Sequence, residues 1–442
     1  MTGSVRAPGS FTSHVLWCMS YVCGDLPSAT MRARLLLLLL PVLAGCASTA
    51  PTASTPAVAP LVTASPALPA VPASITEAVT AVRHEAAPDR RTARFDVEAV
   101  LRDGRIVLRG ETDQPDDLDR LRARLSAQGT AFVDSVRLLP DATLGDQNWA
   151  LVTVSVANLR TTPEHSGELT TQALMGTPMR ILKQQRGWWL VQTPDRYIAW
   201  VDGGGFERVT EAEVQRLSAA PKVIVTNPFT VARTAEGAML SDLVAGNLLE
   251  TTGETADAYR VRTPDGREGL VLKADAQPYD RWLAALRTDP EALVSTAKTL
   301  LGAPYLWGGT STKGMDCSGF TKTVYLLHGL ILPRDANQQA AAGEAVDEVG
   351  DFSKLQPGDL LFFGRKAQEG RAESIVHVGM WIGGGEFIHA AGRVRINSMD
   401  PGAPNYDAYE RGRYIRARRY LGTPQGVALL REGGLYARPG SE

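Results

Sequence analysis

A chain of 442 residues sets about three domains as the starting expectation. Its net charge of −2 excludes a nucleic-acid footprint, and its 44% apolar content is that of ordinary globular material. Beyond the leader no stretch approaches the roughly 20 apolar residues that span a bilayer. The four cysteines, at 18, 23, 46 and 317, have neither zinc-ribbon nor disulfide-framework spacing.

In chain order, the first thirty residues look out of place. Met31 begins a better start: Arg32 and Arg34, a leucine run from Leu35 to Leu40, then Leu43-Ala44-Gly45-Cys46. A basic segment, a short apolar segment and a small-residue cleavage site make an export signal. The last four residues resemble a lipobox, which implies lipidation at Cys46 and makes residues 1–30 an upstream over-extension. An ordinary secretory signal or a short membrane anchor are the alternatives. Residues 47–74 are uncharged Ala, Pro, Ser, Thr and Val, with a Leu at 61 and 68. They read as a tether that cannot bury a core.

Residues 75–145 read as a small α+β domain: a helix over 75–87 ended by Pro88, then strand, strand, helix, strand. Phe95, Val97 and Ala99 alternate, Asp103-Gly104 marks a hairpin turn, and Leu118, Leu121 and Leu125 keep helical spacing. No constellation with chemistry lies there. Over 149–206 short apolar runs are separated by Gly, Pro and Asp, which suggests a small barrel. Asn158-Leu159-Arg160, Gly187-Trp188-Trp189-Leu190-Val191 and Tyr197-Ile198-Ala199-Trp200-Val201 resemble bacterial SH3-like domains. Val231-Ala232-Arg233, Tyr259-Arg260-Val261 and Glu268-Gly269-Leu270-Val271 repeat that pattern more weakly, placing a second barrel at 220–277. Residues 279–295 read as helical and lead into a last α+β domain at 285–425.

In that domain Gly314-Met315-Asp316-Cys317-Ser318-Gly319-Phe320 puts one thiol where a loop turns into a helix, with Phe320, Val324 and Leu327 as its apolar stripe and Gly329 as its stop. First-turn N–H groups and the helix dipole favour thiolate over thiol. The plain alternative is a small buried hydrophobe on a core helix. Along Ile375–Ile382, His377 shares a face with Gly379 and Trp381, while Val376, Val378, Met380 and Ile382 should pack on the core. After Gly383-Gly384-Gly385, the segment Glu386-Phe387-Ile388-His389-Ala390 returns. With an odd number of loop residues, His377 and His389 share a face; with an even number they do not. A Cys with two such histidines is a nucleophile–base–orienter set. A Cys–His–His metal site is the competing reading, and no CxxC or HxxxH spacing supports it.

Residues 298–390 closely resemble the NlpC-type cell-wall cysteine peptidases. The matching pieces are Leu300 to Gly309, Asp316-Cys317-Ser318-Gly319-Phe320, Leu355-Gln356-Pro357-Gly358-Asp359-Leu360, His377-Val378-Gly379-Met380-Trp381 and Phe387-Ile388-His389-Ala390. The resemblance implies a papain-like catalytic domain preceded by two SH3-like barrels and a small N-terminal α+β domain. Cys317 would be nucleophile, His377 base and His389 the third polar residue. Leu332-Pro333-Arg334-Asp335-Ala336-Asn337-Gln338-Gln339, with the two preceding barrels, resembles the branch that cuts γ-D-glutamyl–diamino acid bonds in muropeptides with a free N-terminal L-alanine. In that branch an acid and a tyrosine of the first barrel hold the amine. Glu168 and Tyr197 fit those positions, with Glu164 as the alternative acid, and Tyr305, Asp316, Ser318 and Asp335 would line the pocket. The expectation is an exported, lipid-anchored, monomeric enzyme of the cell envelope acting on peptidoglycan stem peptides, without cofactor, metal or nucleic acid. The rival readings are a catalytically inactive wall-binding lipoprotein and an acyltransferase.

Overall fold

The computed structural model describes residues 70–286, 289–422, 425–433 and 435. The proposed signal, Cys46 and most of the tether lie outside them. Among the described residues no helix is long and apolar enough to cross a membrane.

The helix Ala73–Ala86 buries Ile75, Ala78, Val79, Val82 and Ala86, one stripe at helical spacing. That stripe shares a core with Phe95, Val97, Leu108 and the Leu118, Leu121 and Leu125 row of the helix Pro115–Ala127. Strands Phe95–Arg102 and Arg105–Thr112 pair antiparallel around Asp103-Gly104, both at positive φ, as a two-residue hairpin requires. Phe132–Leu138 returns parallel to the second strand after the helix.

Two seven-stranded antiparallel sheets follow. The first runs in the order Phe206–Val209, Trp149–Val152, Pro178–Gln185, Trp188–Gln192, Ile198–Asp202, Val156–Arg160, Leu169–Leu174. The second runs Ala276–Pro278, Lys222–Val225, Leu248–Glu254, Ala258–Arg262, Glu268–Leu272, Phe229–Arg233, Met239–Val244. Strand for strand the two orders are the same. The weak internal repeat in the sequence is therefore a repeat of topology, in which the second core is built without tryptophan.

The segment read as helical over 279–295 holds two helices, Tyr279–Ala285 and Pro290–Thr299. Asp289 caps the second by accepting from the Ala292 N–H, and Pro290 takes the first-turn place where a missing donor costs nothing. The helices Cys317–Leu326 and Ala336–Ala341 then precede a six-stranded antiparallel sheet. Its order is Glu344–Asp347, Tyr414–Arg419, Leu360–Arg365, Ser374–Gly383, Glu386–Ala391, Arg393–Ser398. Period-2 alternation splits its side chains between two cores. Phe362, Val378, Met380 and Ile388 pack on Phe320 and Val324 of the cysteine helix. Leu361, Phe363, Trp381 and Phe387 pack on Tyr414 and Met399.

Val376, expected in the core, is 57% exposed. Phe363 pairs His377 while Gly364 pairs Ile375, so Val376 is the extra residue of a β-bulge and is turned outward.

The units are joined by polar contacts. Gln172 of the first barrel accepts from the Thr310 N–H (2.9 Å) and from Ser311 Oγ (2.9 Å). Lys322 of the cysteine helix pairs with Asp195 at 2.9 Å, both side chains nearly buried. Gly308, at positive φ, lies so close to Leu169 that a Cβ there would meet the Leu169 carbonyl oxygen at 2.2 Å. The barrel thus rests directly on the loop ahead of the cysteine.

Candidate active site

Asp316 builds the start of the cysteine helix. Its carboxylate caps the helix by accepting from the Gly319 N–H (2.7 Å) and also accepts from the Gly308 N–H (2.9 Å). The buried guanidinium of Arg334 donates to it at 2.6 and 3.2 Å and to Ser318 Oγ at 2.9 Å. Asp316 and Ser318 line the cavity described below, yet these polar atoms are spent on one another. They and Arg334 brace the helix end that carries Cys317.

Cys317 is buried and free. The backbone N–H groups of Val378 and Ser318 act on its sulfur and favour the anion, which sets the thiol against the strand residue next to His377. The expectation of a resting thiolate is corrected here. Burial pushes the thiol up to about 12, the Asp316 carboxylate adds to the rise, and the two N–H groups and Arg334 only partly oppose it. Helix position alone does not outweigh desolvation in so closed a pocket.

The two histidines sit on one face. Met380 pairs Ile388, so position 389 lies opposite Gly379 and diagonal to His377. Gly379 makes the room, because a Cβ there would meet His389 Cβ at 3.1 Å and the Phe387 ring at 2.8 Å. His377 Nε2 and His389 Nδ1 are 2.8 Å apart. Burial holds the His377 imidazole well below its ordinary range and His389 down to about 4, so both rings are neutral at neutral pH.

Two partners were not legible in the sequence. Asn397, on the next strand, places Oδ1 3.0 Å from His389 Nε2. Glu410, buried in the short helix Ala408–Gly412, places Oε1 3.7 Å from His377 Nε2 and is held bidentately by Arg413. Their only sequence signal was an unassigned polar residue in a strand or a short helix. His377, His389 and Glu410 could geometrically share a metal ion. The arrangement argues for a polar relay instead: the histidine nitrogens are already at hydrogen-bond distance, Arg413 occupies Glu410, and the Arg395 side chain lies 3.4 Å from His389.

The thiol opens on a cavity of about 420 Å³. Tyr305, Trp307 and Val376 line it from the last domain, and Thr161, Glu168 and Tyr197 line it from the first barrel. Glu168 accepts from Trp307 Nε1 at 2.6 Å. Glu164 is an exposed residue that does not line the cavity and instead approaches Thr162. Tyr197 is buried, and burial first and then the nearby Asp335 carboxylate raise its pKa. The remaining wall was unforeseen. Arg91, from the small N-terminal unit, lines the cavity and pairs with Asp335 at 2.7 Å, steadied by Asp89. The unit in which no chemistry was read therefore reaches the cleft.

A protonated thiol at a helix start, packed against the strand that carries an imidazole bonded to a second imidazole, supplies the residue types of a cysteine peptidase. The comparisons agree. Residues 302–413 match the NlpC/P60 family, and residues 159–204 match the bacterial dipeptidyl-peptidase SH3 domain. A γ-D-glutamyl-L-lysine dipeptidyl-peptidase of Bacillus cereus is 32% identical over 268 residues, 58% of this chain and 77% of that protein. Dipeptidyl-peptidase 6 of Lysinibacillus sphaericus is 29% identical over 272 residues, 58% of this chain and 94% of that protein. The crystal structure of an NlpC/P60 family protein from Bacillus cereus aligns over 62% of this chain and 99% of its own, with a TM-score of 0.53 and 30% identity. The chain belongs to the NlpC/P60 family of cysteine peptidases, and its activity is of the peptidoglycan-hydrolase type.

Proposed function

We propose that this enzyme hydrolyses the γ-D-glutamyl–diamino acid bond of stem peptides whose N-terminal L-alanine is free. The observation that carries the reading is the cavity's composition. The Cys317 thiol lines it together with Glu168 and Tyr197 of the first barrel and Asp335 of the last domain. An ammonium is matched by carboxylates and by an aromatic hydroxyl, and a pocket that holds them at a set distance from the thiol would measure off a short amino-terminal piece. The names of the Bacillus relatives support the same bond type.

Cys317 Sγ attacks the γ-carbonyl carbon while its proton passes to His377. Since His377 Nε2 faces His389, the accepting atom is Nδ1. The Cys317 N–H, in the first turn where no carbonyl four residues back can claim it, is the candidate oxyanion donor. The imidazolium then protonates the leaving amine and a thioester remains. Water, deprotonated by His377, hydrolyses it and returns the thiol.

Defined muropeptides with mass detection test this. Wild-type enzyme should release an L-alanyl-D-glutamate piece, and Cys317→Ala should release none while melting normally. Glu168→Gln should raise KM for free-amine peptides and leave the slow turnover of N-acetylated ones unchanged. Full activity in Cys317→Ala rejects the mechanism, and equal losses on both peptide types reject amine recognition. We also propose export and lipidation at Cys46, supported by Leu43-Ala44-Gly45-Cys46. Cells fed radiolabelled palmitate should label this protein, and Cys46→Ala should remove the label; an unchanged label would place the acyl group elsewhere.

A further inference from the structure

His377, His389 and Asn397 occupy three successive antiparallel strands. Met380 pairs Ile388 and Phe387 pairs Asn397, so each of the three side chains is diagonal to the next on one sheet face. The sheet therefore lays a row of polar groups from His377 outward to the edge strand. The row ends at a backbone carbonyl: Asn397 Nδ2 donates to the Asn405 carbonyl oxygen at 3.2 Å. That carbonyl is itself fixed. It accepts from the Ser398 N–H at 2.9 Å, and the Asn405 side chain donates to Glu386 Oε1 at 2.9 Å.

A carbonyl only accepts, so it fixes which end of the Asn397 amide faces it. Nδ2 must point to Asn405, which turns Oδ1 toward His389 Nε2 at 3.0 Å. Oδ1 also only accepts, so the proton of neutral His389 belongs on Nε2 and its Nδ1 is bare. Bare Nδ1 accepts from His377 Nε2, 2.8 Å away. His377 then carries its proton on Nε2 and leaves Nδ1 as the lone pair for the Cys317 proton. The opposite assignment would set Oδ1 against a bare Nε2 and, on the peptidase reading, would leave His377 with no bare nitrogen to take the Cys317 proton.

One charged neighbour competes with this order: Arg395 Nε–H points at His389 Nε2 and favours it bare, but at 3.4 Å it is the longer contact against 3.0 Å for the Asn397 oxygen, and the same guanidinium reaches toward Asp407 at 3.9 Å. Glu410 stands 3.7 Å from His377 Nε2, where a carboxylate favours a proton on that nitrogen. Arg413 is engaged with Glu410.

We propose that Asn397, held by the Asn405 carbonyl, is a positioning residue that sets the tautomers of both histidines and so supplies His377 Nδ1 as the base. The proposal rests on the peptidase reading of the site, and its test is chosen to fail separately.

The direct measurement is long-range ¹⁵N–¹H NMR of the full chain labelled at histidine, assigned with single His→Gln variants. Both His377 and His389 should show a protonated Nε2 and a bare Nδ1. A protonated Nδ1 on His389 overturns the proposal without reference to any variant. Asn397→Leu removes the acceptor at nearly constant volume. It should mix the His389 tautomers and lower kcat roughly ten- to a hundredfold, as loss of a ring-orienting partner does, with KM unchanged. Asn397→Asp keeps an acceptor and should restore the Nε2–H signal and most of the rate. Wild-type tautomers and kcat in folded Asn397→Leu overturn the proposal while leaving the peptidase reading intact. Activity persisting in Cys317→Ala would instead reject the peptidase reading and leave the tautomer result standing.

Discussion

At the scale of the residue, Cys317 behaves unlike an exposed helix-start thiolate. Burial is the larger force and keeps the proton on sulfur, while burial of His377 keeps that ring neutral. The reactive pair at rest is thus thiol and imidazole, and charge separates only when substrate enters. This has a consequence that an ion pair would not share. Alkylation of Cys317 by iodoacetamide, without substrate, should be slow at pH 7 and should rise steadily with pH toward a thiol pKa of about 12. Mass spectrometry of the 317 peptide follows it. A rate already on a plateau between pH 6 and 8 would mean a preformed thiolate and contradict this account. Turnover should respond differently, because it needs only neutral His377. It should stay level through neutral pH and fall on the acid side, below the ordinary histidine range.

At the scale of the element, what could be read from the chain was whatever lies within one element or one hairpin. The helix at Cys317 and the two barrels follow from periodicities over a few residues, whereas the shared face of His377 and His389 hung on the count of loop residues and was decided by the register. Asn397 needed the register of a third strand, and Val376 moved outward because of a bulge that no alternation announces. Arg91 stands far from Asp335 in sequence, and only the packing of three units brings them together. The turn Asp89-Arg90-Arg91 is fastened at several points. The Arg91 carbonyl accepts from the Ile198 N–H at 2.7 Å, and Gln338 Nε2 donates to Asp89 at 2.7 Å. This contact makes the N-terminal unit part of the pocket wall. Without Arg91, the carboxylate of Asp335 would keep Tyr197 but turn toward Arg334, whose Nη1 already lies 3.9 Å away. Arg91→Ala should therefore raise KM for free-amine peptides about fivefold, corresponding to roughly 1 kcal/mol for a half-exposed ion pair. kcat should barely change, and peptides with a blocked amine should be indifferent. A drop in kcat with constant KM would place Arg91 outside substrate binding.

At the scale of the whole molecule, the relay that equips the site also makes the fold sensitive to acid. His389 is fully buried, and its pKa stands near 4 against 6.5 for the ordinary group. Between those values the unfolded chain binds a proton that the folded chain refuses, so stability is complete above about pH 6.5 and is lost as pH falls toward 4. The full shift corresponds to roughly 3 kcal/mol, a large part of a typical folding free energy. His377, also held low, acts in the same direction, whereas Glu410, raised by burial, acts oppositely and gains as acid is added. Denaturant unfolding monitored by tryptophan fluorescence at several pH values between 7.5 and 5 should show the midpoint falling with acid. In His389→Gln the overall stability should be lower at pH 7.5, because the ring's two partners are disturbed, but the decline from 7.5 to 5 should be shallower. The second effect is the diagnostic one: a missing titratable group removes slope, whereas damaged packing only shifts the whole curve. Parallel curves for the variant and the wild type would mean that His389 is not the group through which acid acts.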